Sequence, residues 1–284
     1  MNEQLHFADP GEAADLAAFL GRLVHYDRAA AVRLQAGGGA LAVFGRPPSF
    51  EVLAIRTVRL AAPLAAPLDL TVSAGELLEA VDEAAASAAV PGSVTGPPWA
   101  GVLPPRGGWR ELAGLPAPDG VRAAVAASVA EFRARDEALP PQHRTRAERD
   151  RIGREIWSRT LGDTELPLRA AHAAQSLGFL RPVRAAAPAP VPASAHTGSA
   201  GSAPGAASAA GSASAAGTAA AAASGSAAVS ASAAGSGSAV PAPLALLAAG
   251  SWLRLRTPYG SVATRRPADA GGPGGLGAFQ VRPV

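Results

Sequence analysis

The feature that most constrains this chain is a long segment, residues 185–243, with no charged residue and no large apolar residue. Alanine, glycine, serine and proline dominate it, accompanied by threonine, valine and one histidine, His196. Such a composition buries too little apolar surface to offset the entropy lost on ordering. We therefore expect residues 185–243 to be a disordered linker, so that the folded part forms from the sequence on either side.

The charge distribution argues against a strongly basic binding face. The formal net charge is +3 and the pI is about 10.4, and every basic residue is an arginine. Residues 1–184 are nearly neutral, and the basic surplus lies in residues 244–284, where five arginines accompany one acidic residue, Asp269. A high pI from such a tail does not indicate a nucleic-acid interface. The sequence therefore disfavours nucleic acid as a partner.

Cysteine content and hydropathy narrow the class of protein further. The chain has no cysteine, which excludes disulfides, thiolate metal sites and cysteine nucleophiles. Residues 1–10 lack the basic and apolar regions of a secretory signal. No stretch has the roughly 20 strongly apolar residues that a membrane helix needs. We expect a soluble, cytoplasmic protein with no membrane partner.

Signals in residues 1–90 predict a helix, a small antiparallel sheet and a second helix. Asp9 and Glu12 have the spacing of a capping box around Pro10, which predicts the start of the first helix. Ser73 and Glu76 form a second capping box, and we expect that helix to end at Pro91-Gly92. Between the helices, residue type predicts strands in the runs Ala31–Gln35, Leu41–Phe44, Glu51–Leu60 and Leu68–Val72.

The second half of the body is predicted to be a loop followed by helices. Residues 91–118 are rich in proline and glycine and are expected to form the loop, whereas residues 119–180 are expected to be helical. The expected helices are 119–138, capped by Asp119, 145–161, begun by the capping box of Thr145 and Glu148, and 165–177, ended by Gly178.

A candidate hairpin follows the linker. Trp252–Arg256 and Ser261–Arg265 flank a turn sequence, and an isolated hairpin is only marginally stable in water. We therefore expect residues 244–266 to dock on the body, residues 1–184, and extend its sheet. Residues 267–284 are glycine- and proline-rich and are expected to form a flexible tail. The predicted fold class is α+β: a small antiparallel sheet with flanking helices, a helical second half and a C-terminal hairpin after a disordered linker.

The loop Trp99–Trp109 is the strongest candidate for a ligand site. Its two tryptophans bracket a stiff Pro-Pro pair and Arg106. Aromatic planes can stack on a ligand, and a guanidinium can bind a carboxylate or another anion. Trp99, Arg106 and Trp109 are therefore the candidate ligand-binding residues. The alternative, which we favour, is that both indoles anchor a long loop to the core.

No catalytic residue, cofactor or metal site is predicted. The histidines lack metal-ligand spacing, and the chain has neither a nucleophile elbow nor a P-loop. The glycines of Gly272–Gly277 have the spacing of a dinucleotide-binding pattern, but the sequence predicts neither a strand before them nor a helix after them, and the pattern requires both. Ala174 and Gly178 have helix-turn-helix spacing, but Pro182 prevents a good recognition helix. Whether the protein is an enzyme stays open, and the sequence favours that it is not.

An arginine-rich stretch leaves two interpretations open. Arg133–Arg159 contains eight arginines, which could contact phosphates, but it also contains acidic residues. Asp150 with Arg154 and Glu155 with Arg159 have the spacing of helical ion pairs. The sequence favours a solvated, salt-bridged helix.

Composition also carries a resemblance. The chain is dominated by Ala, Arg, Gly and Pro and has no lysine, and its segments Trp99–Trp109, Glu155–Leu180 and Trp252–Arg266 resemble uncharacterised actinobacterial proteins of high-GC genomes. That resemblance implies no activity. Our leading hypothesis is a non-catalytic cytoplasmic interaction or regulatory protein with an unknown protein partner. One alternative is a weak nucleic-acid binder using Arg133–Arg159 and the basic tail. Another is an enzyme or small-molecule binder using the Trp99–Trp109 loop.

Overall fold

The computed structural model describes residues 3–99, 101–182 and 244–266. The expected linker 185–243, the expected tail 267–284 and the Gly272–Gly277 pattern lie outside these residues. The described helices are α1 (Pro10–Tyr26), α2 (Ala74–Ala80), α3 (Pro118–Glu137), α4 (Arg146–Trp157) and α5 (Leu168–Ser176), with a 3₁₀ turn at Pro141–His143. The described strands are β1 (Gln4–His6), β2 (Ala31–Gly37), β3 (Ala40–Gly45), β4 (Leu53–Arg59), β5 (Leu68–Ser73), β6 (Val81–Asp82), β7 (Ser87–Ala89), β8 (Arg110–Leu112), β9 (Ala245–Ala249), β10 (Trp252–Thr257) and β11 (Gly260–Arg265).

An eight-stranded antiparallel sheet organises these elements, in the order β5-β2-β3-β4-β11-β10-β9-β8. A smaller sheet has the order β1-β7-β6. The C-terminal strands therefore lie inside the large sheet, since β11 pairs with β4 and places Val262 opposite Ala54. The predicted α+β class is confirmed, and the sheet has more strands than the sequence signals indicate.

Helices cover one face of the large sheet. Helix α1 packs on β4, α5 packs on β11 and β10, and α3 packs on α5 with α4 against it. Alternating strand residues point into this core, as period-two side-chain alternation requires. Typical buried residues there are Leu16, Phe19, Leu34, Val43, Leu253, Leu255 and Val262. A second, smaller apolar cluster lies on the opposite face of the sheet, around Phe44, Ile55 and Trp252.

Local capping signals predict helix ends well. The Asp9 carboxylate accepts from the Glu12 amide at 3.0 Å, and Pro10 occupies the first turn, as predicted. At the end of α5, Gly178 has φ +75°. The Phe179 amide donates to the Ala174 carbonyl at 2.8 Å there, so the last carbonyls of α5 are satisfied.

The second predicted helix is wrong beyond Ala80. Residues 81–90 form β6, a turn and β7 instead of continuing to Pro91. Asp82 accepts from the Ala85 amide at 2.9 Å, which stabilises the turn. Ala88 pairs with Leu5 on one side and with Val81 on the other. These ladder hydrogen bonds and the burial of Ala88 outweigh the helix propensity of an alanine-rich segment.

Other boundaries also differ from prediction. Asp119 does not cap α3, because Ala117 stands at the cap and the Asp119 carboxylate pairs with Arg122 in the first turn. Helix α4 ends at Trp157 and α5 begins at Leu168, so both are shorter than expected. Strands β8 and β9 lie where no strand was predicted. Among the described helices, none combines the length and apolar character needed to cross a membrane.

Candidate ligand-binding site

The loop Trp99–Trp109, called the tryptophan loop below, packs on the sheet face opposite the helices. Trp99 is 7% exposed, and its Nε1 donates to Thr71 Oγ1 of β5 at 3.0 Å. Val102 and Leu103 pack on the same apolar cluster. Trp99 therefore anchors the loop, and its ring is not available to stack on a ligand.

Arg265 of β11 provides a second anchor. Its Nη2 donates to the Gly101 carbonyl at 2.7 Å, and its Nη1 donates to Ser251 Oγ at 3.0 Å. The same guanidinium lies 4.6 Å from the centre of the Trp252 ring, a cation–π contact. The tryptophan loop is thus attached both to β5 and to the C-terminal strands.

Between this loop and the sheet lies a cavity of ≈ 700 Å³, called the Arg254 cavity. The loop contributes Leu103–Arg106 to its wall, so Arg106 lines a cavity. The sheet contributes outward-facing side chains, among them Arg33, Gln35, Phe44, Ile55, Thr57, Asp69 and Arg254. A volume of this size is typical of small-molecule sites.

The structure separates the three predicted ligand residues. Arg106 is exposed and lines the Arg254 cavity, whereas Trp99 is buried beneath the loop. Trp109 is half-buried, and its Nε1 donates to the Pro105 carbonyl at 3.0 Å, which closes the loop on itself. The Arg254 guanidinium lies 5.8 Å from the centre of the Trp109 ring. Trp109 is therefore not a lining residue of the Arg254 cavity, but it contacts Arg254, which is.

One side of the cavity is electrostatically balanced. Arg33 donates to both oxygens of Asp69, at 2.7 and 2.9 Å, and Gln35 donates to Asp69 at 3.1 Å. These bonds, chiefly the one from Arg33, hold the pKa of the Asp69 carboxyl below its usual value. The negative charge of Asp69 is thus neutralised mainly by Arg33.

The other side of the cavity carries unbalanced positive charge. Arg254 is half-buried, and its Nε donates to the neutral Ser261 hydroxyl at 2.8 Å. Burial, with a contribution from Arg256, lowers the pKa of Arg254. Within the described residues, neither Arg254 nor Arg106 forms a salt bridge. The sequence did not predict Arg254 as a site residue. The signal that could have found it is its position two residues after Trp252, on the same side of a predicted strand.

The arginine-rich stretch Arg133–Arg159 is largely neutralised by carboxylates of α3 and α4. Arg135 pairs with Glu155 at 2.7 Å, Arg159 with Glu131 at 2.7 Å, and Arg149 with Asp136 at 2.7 Å. The predicted pair of Glu155 and Arg159 is confirmed at 3.5 Å. Asp150 lies 3.8 Å from Arg146, whereas the predicted partner was Arg154. This pattern is that of a salt-bridged helix pair.

Residues 3–99, 101–182 and 244–266 hold no candidate metal centre, since no three His, Asp or Glu side chains there group closely enough to bind an ion. His172 is half-buried and stacks on Trp157 with ring centres 4.2 Å apart. Burial lowers the pKa of His172.

Comparison with family models matches residues 104–269 to a domain of unknown function, DUF8185. The chain belongs to this family. Residues 1–101 match a second domain of unknown function, DUF8010. No curated protein and no solved structure matches the chain. The Arg254 cavity takes residues from both matched regions, since Arg33 and Asp69 belong to the first and Arg106 and Arg254 to the second.

Proposed function

We propose that this protein is a non-catalytic binding protein that holds a small anionic molecule in the Arg254 cavity. The observation that supports it is the half-buried Arg254 guanidinium, which has a hydroxyl partner but no carboxylate partner among the described residues. Arg106 supplies a second guanidinium on the loop wall, and it forms no salt bridge with the described residues. A cation without a counter-ion in a concave site favours an anion there, because a charge-assisted hydrogen bond is stronger than a neutral one.

The lining of the cavity also favours an apolar part in the ligand. Phe44 and Ile55 are buried sheet residues that contribute to the wall. Asp69 remains bound to Arg33 and so repels the ligand little. The proposed ligand is therefore an organic carboxylate or phosphate with an apolar body, its anionic group toward Arg254 and Arg106.

A regulatory or interaction role is part of this proposal. The tryptophan loop forms a wall of the cavity, so a bound ligand contacts a surface segment that a protein partner would meet. The paired arginines of α3 and α4 do not favour a nucleic-acid interface. We also propose a cytoplasmic location, in keeping with a chain free of cysteine, and an actinobacterial origin, in keeping with its lysine-free composition.

Calorimetric titration of the full chain with benzoate tests the proposal, with neutral benzamide as the matched probe. Benzoate should bind in the millimolar range or tighter, and benzamide should not. Arg254→Gln and Arg106→Gln should each weaken benzoate binding by about tenfold or more, since each removes a charged donor. Arg133→Gln is the control, because Arg133 is exposed on α3 and lies outside the cavity.

Two results would contradict the proposal. One is the absence of binding for benzoate, succinate and inorganic phosphate alike. The other is binding that Arg254→Gln leaves unchanged, or that Arg133→Gln weakens to the same extent as Arg254→Gln.

A further inference from the structure

A second cavity, of ≈ 640 Å³, lies beside the tryptophan loop and is called the Arg46 cavity. Gly101 and Val102 of the loop line it, whereas Leu103–Arg106 line the Arg254 cavity. Its other walls come from residues within 27–31, 46–53 and 95–97 and from the ends of β10 and β11. The two cavities share no lining residue, so variants of one leave the walls of the other intact.

The wall that carries Arg46 contains backbone strain. Ser49 has φ +70° and Glu51 has φ +53°, and these are two of the three non-glycine residues with positive φ in the part of the chain that the structure describes. Non-glycine residues in this region are disfavoured and persist only where the surroundings enforce them. Such strain is concentrated at functional sites more often than elsewhere.

Packing of Phe50, which lies between the two strained residues, stabilises the strained backbone conformation. Its buried ring packs edge-on against Tyr26, with ring centres 5.5 Å apart, and against His172, at 5.2 Å. The Pro47-Pro48 pair adds stiffness just after Arg46. The segment is therefore rigid, and the backbone that positions Arg46 at the cavity is fixed by packing.

Charges of both signs line the Arg46 cavity. Arg46 is exposed and forms no ion pair or hydrogen bond within the described residues. Arg265, anchored to Gly101, adds a second guanidinium. Asp27 accepts from the Ala29 amide at 2.9 Å through one carboxylate oxygen, and its other oxygen has no hydrogen-bond partner among the described residues. Glu51 lies 3.6 Å from Arg169 and is already partnered.

We infer that the Arg46 cavity binds a small zwitterion, either a free α-amino acid or a dipeptide. Its carboxylate would lie toward Arg46 and Arg265, and its ammonium toward Asp27. Val52, Val102 and Trp252 supply an apolar wall for a side chain. The volume lies in the range of sites that enclose molecules of this size. Two guanidiniums and one open carboxylate complement a ligand with separated charges better than they complement a simple anion.

The test uses L-alanyl-L-leucine in calorimetric titrations of the full chain carrying Arg254→Gln, so that carboxylate binding in the Arg254 cavity does not contribute. N-acetyl-L-alanyl-L-leucine lacks the ammonium, and L-alanyl-L-leucinamide lacks the carboxylate. The free dipeptide should bind, and each blocked analogue should bind about tenfold more weakly or worse. Free L-leucine serves as a second zwitterionic probe.

Two variants identify the site. Arg46→Gln should weaken binding of the free dipeptide and reduce its preference over the amide. Asp27→Asn should weaken it and reduce the preference over the acetylated form; Asn retains an acceptor for the Ala29 amide, so the local fold is kept. Arg133→Gln, at an exposed site on α3 outside both cavities, should leave dipeptide binding unchanged. The inference is overturned if neither zwitterion binds, if acetylation leaves affinity unchanged in the Arg254→Gln chain, or if adding Arg46→Gln or Asp27→Asn to that chain leaves its binding unchanged.

Discussion

Arg56 of β4 donates through Nη1 to the Tyr259 carbonyl at 2.7 Å, which joins two residues 203 positions apart. Arg56 is 6% exposed, and its Nη2 also donates to Glu12 at 3.0 Å and to Asp15 at 3.2 Å on α1. Arg181 lies over the Tyr259 ring, 3.7 Å from its centre. The turn between β10 and β11 is therefore bound to α1 and β4 through one buried guanidinium.

Arg56→Met should destabilise the protein by about 3 kcal/mol, because it removes a buried cation that donates to three acceptors while nearly conserving volume. Urea unfolding followed by tryptophan fluorescence measures the free energy of unfolding. Arg133→Met, at an exposed site on α3, is the control and should change it by less than about 0.5 kcal/mol. A loss below about 1 kcal/mol for Arg56→Met would show that this contact contributes little to stability.

Gly260→Ala should destabilise the protein by about 3 kcal/mol, because of both clash and backbone strain. Gly260 has φ +155°, and a Cβ there would lie 2.7 Å from ring carbons of Phe179 and 3.0 Å from the Ile55 carbonyl oxygen. Gly250 is the matched control, with φ +54° and no atom within 4 Å of the position that a Cβ would take. Gly250→Ala should cost about 1 kcal/mol. Equal losses of unfolding free energy from the two substitutions would contradict the packing against Phe179.

His172 should make stability depend on pH near neutrality. Burial against Trp157 and Phe50 lowers its pKa below the ordinary value of 6.5. The unfolded chain then binds a proton before the folded chain does, so stability is full above about pH 6.5 and falls as pH decreases toward the lowered pKa. His172→Phe should flatten the free energy of unfolding measured between about pH 7 and pH 5. An unchanged slope in the variant would assign the dependence to another group.

Acid should separate the ion pairs between α3 and α4. The hydrogen bonds from Arg135 lower the pKa of Glu155 to about 2, and those from Arg159 lower the pKa of Glu131. Because these pKa values are lowered on folding, the contribution is present above about pH 4.5 and is lost as pH falls toward 2. The carboxyl titration of Glu155, followed by NMR, should shift upward in Arg135→Gln. Arg133→Gln should leave it unchanged, and a shift in that control would mean that net charge alone sets the midpoint.

Local signals predicted a substantial part of the fold. The caps at Asp9 and Thr145, the glycine end of α5 at Gly178 and the β2–β3 and β10–β11 hairpins each depend on residues within a few positions of one another. Strands β6, β7 and β8 were missed because each has only two or three residues. β7 and β8 pair with the distant strands β1 and β9, and β6 exists only through its pairing with β7. Of the two arginines proposed to bind the ligand in the Arg254 cavity, the sequence analysis named Arg106 as a candidate but not Arg254.

By itself, the sequence determined the α+β class, the main helices and the uncharged segment 185–243, since capping, periodicity and composition act over short distances along the chain. Only the tertiary structure decided that β9, β10 and β11 stand between β4 and β8 and that Arg254 lies under the tryptophan loop without a carboxylate partner in the described residues. The physical reason is that strand pairing is non-local. Ala245–Ala249 has little strand character of its own and becomes a strand because β8 and β10 hydrogen-bond to both of its edges.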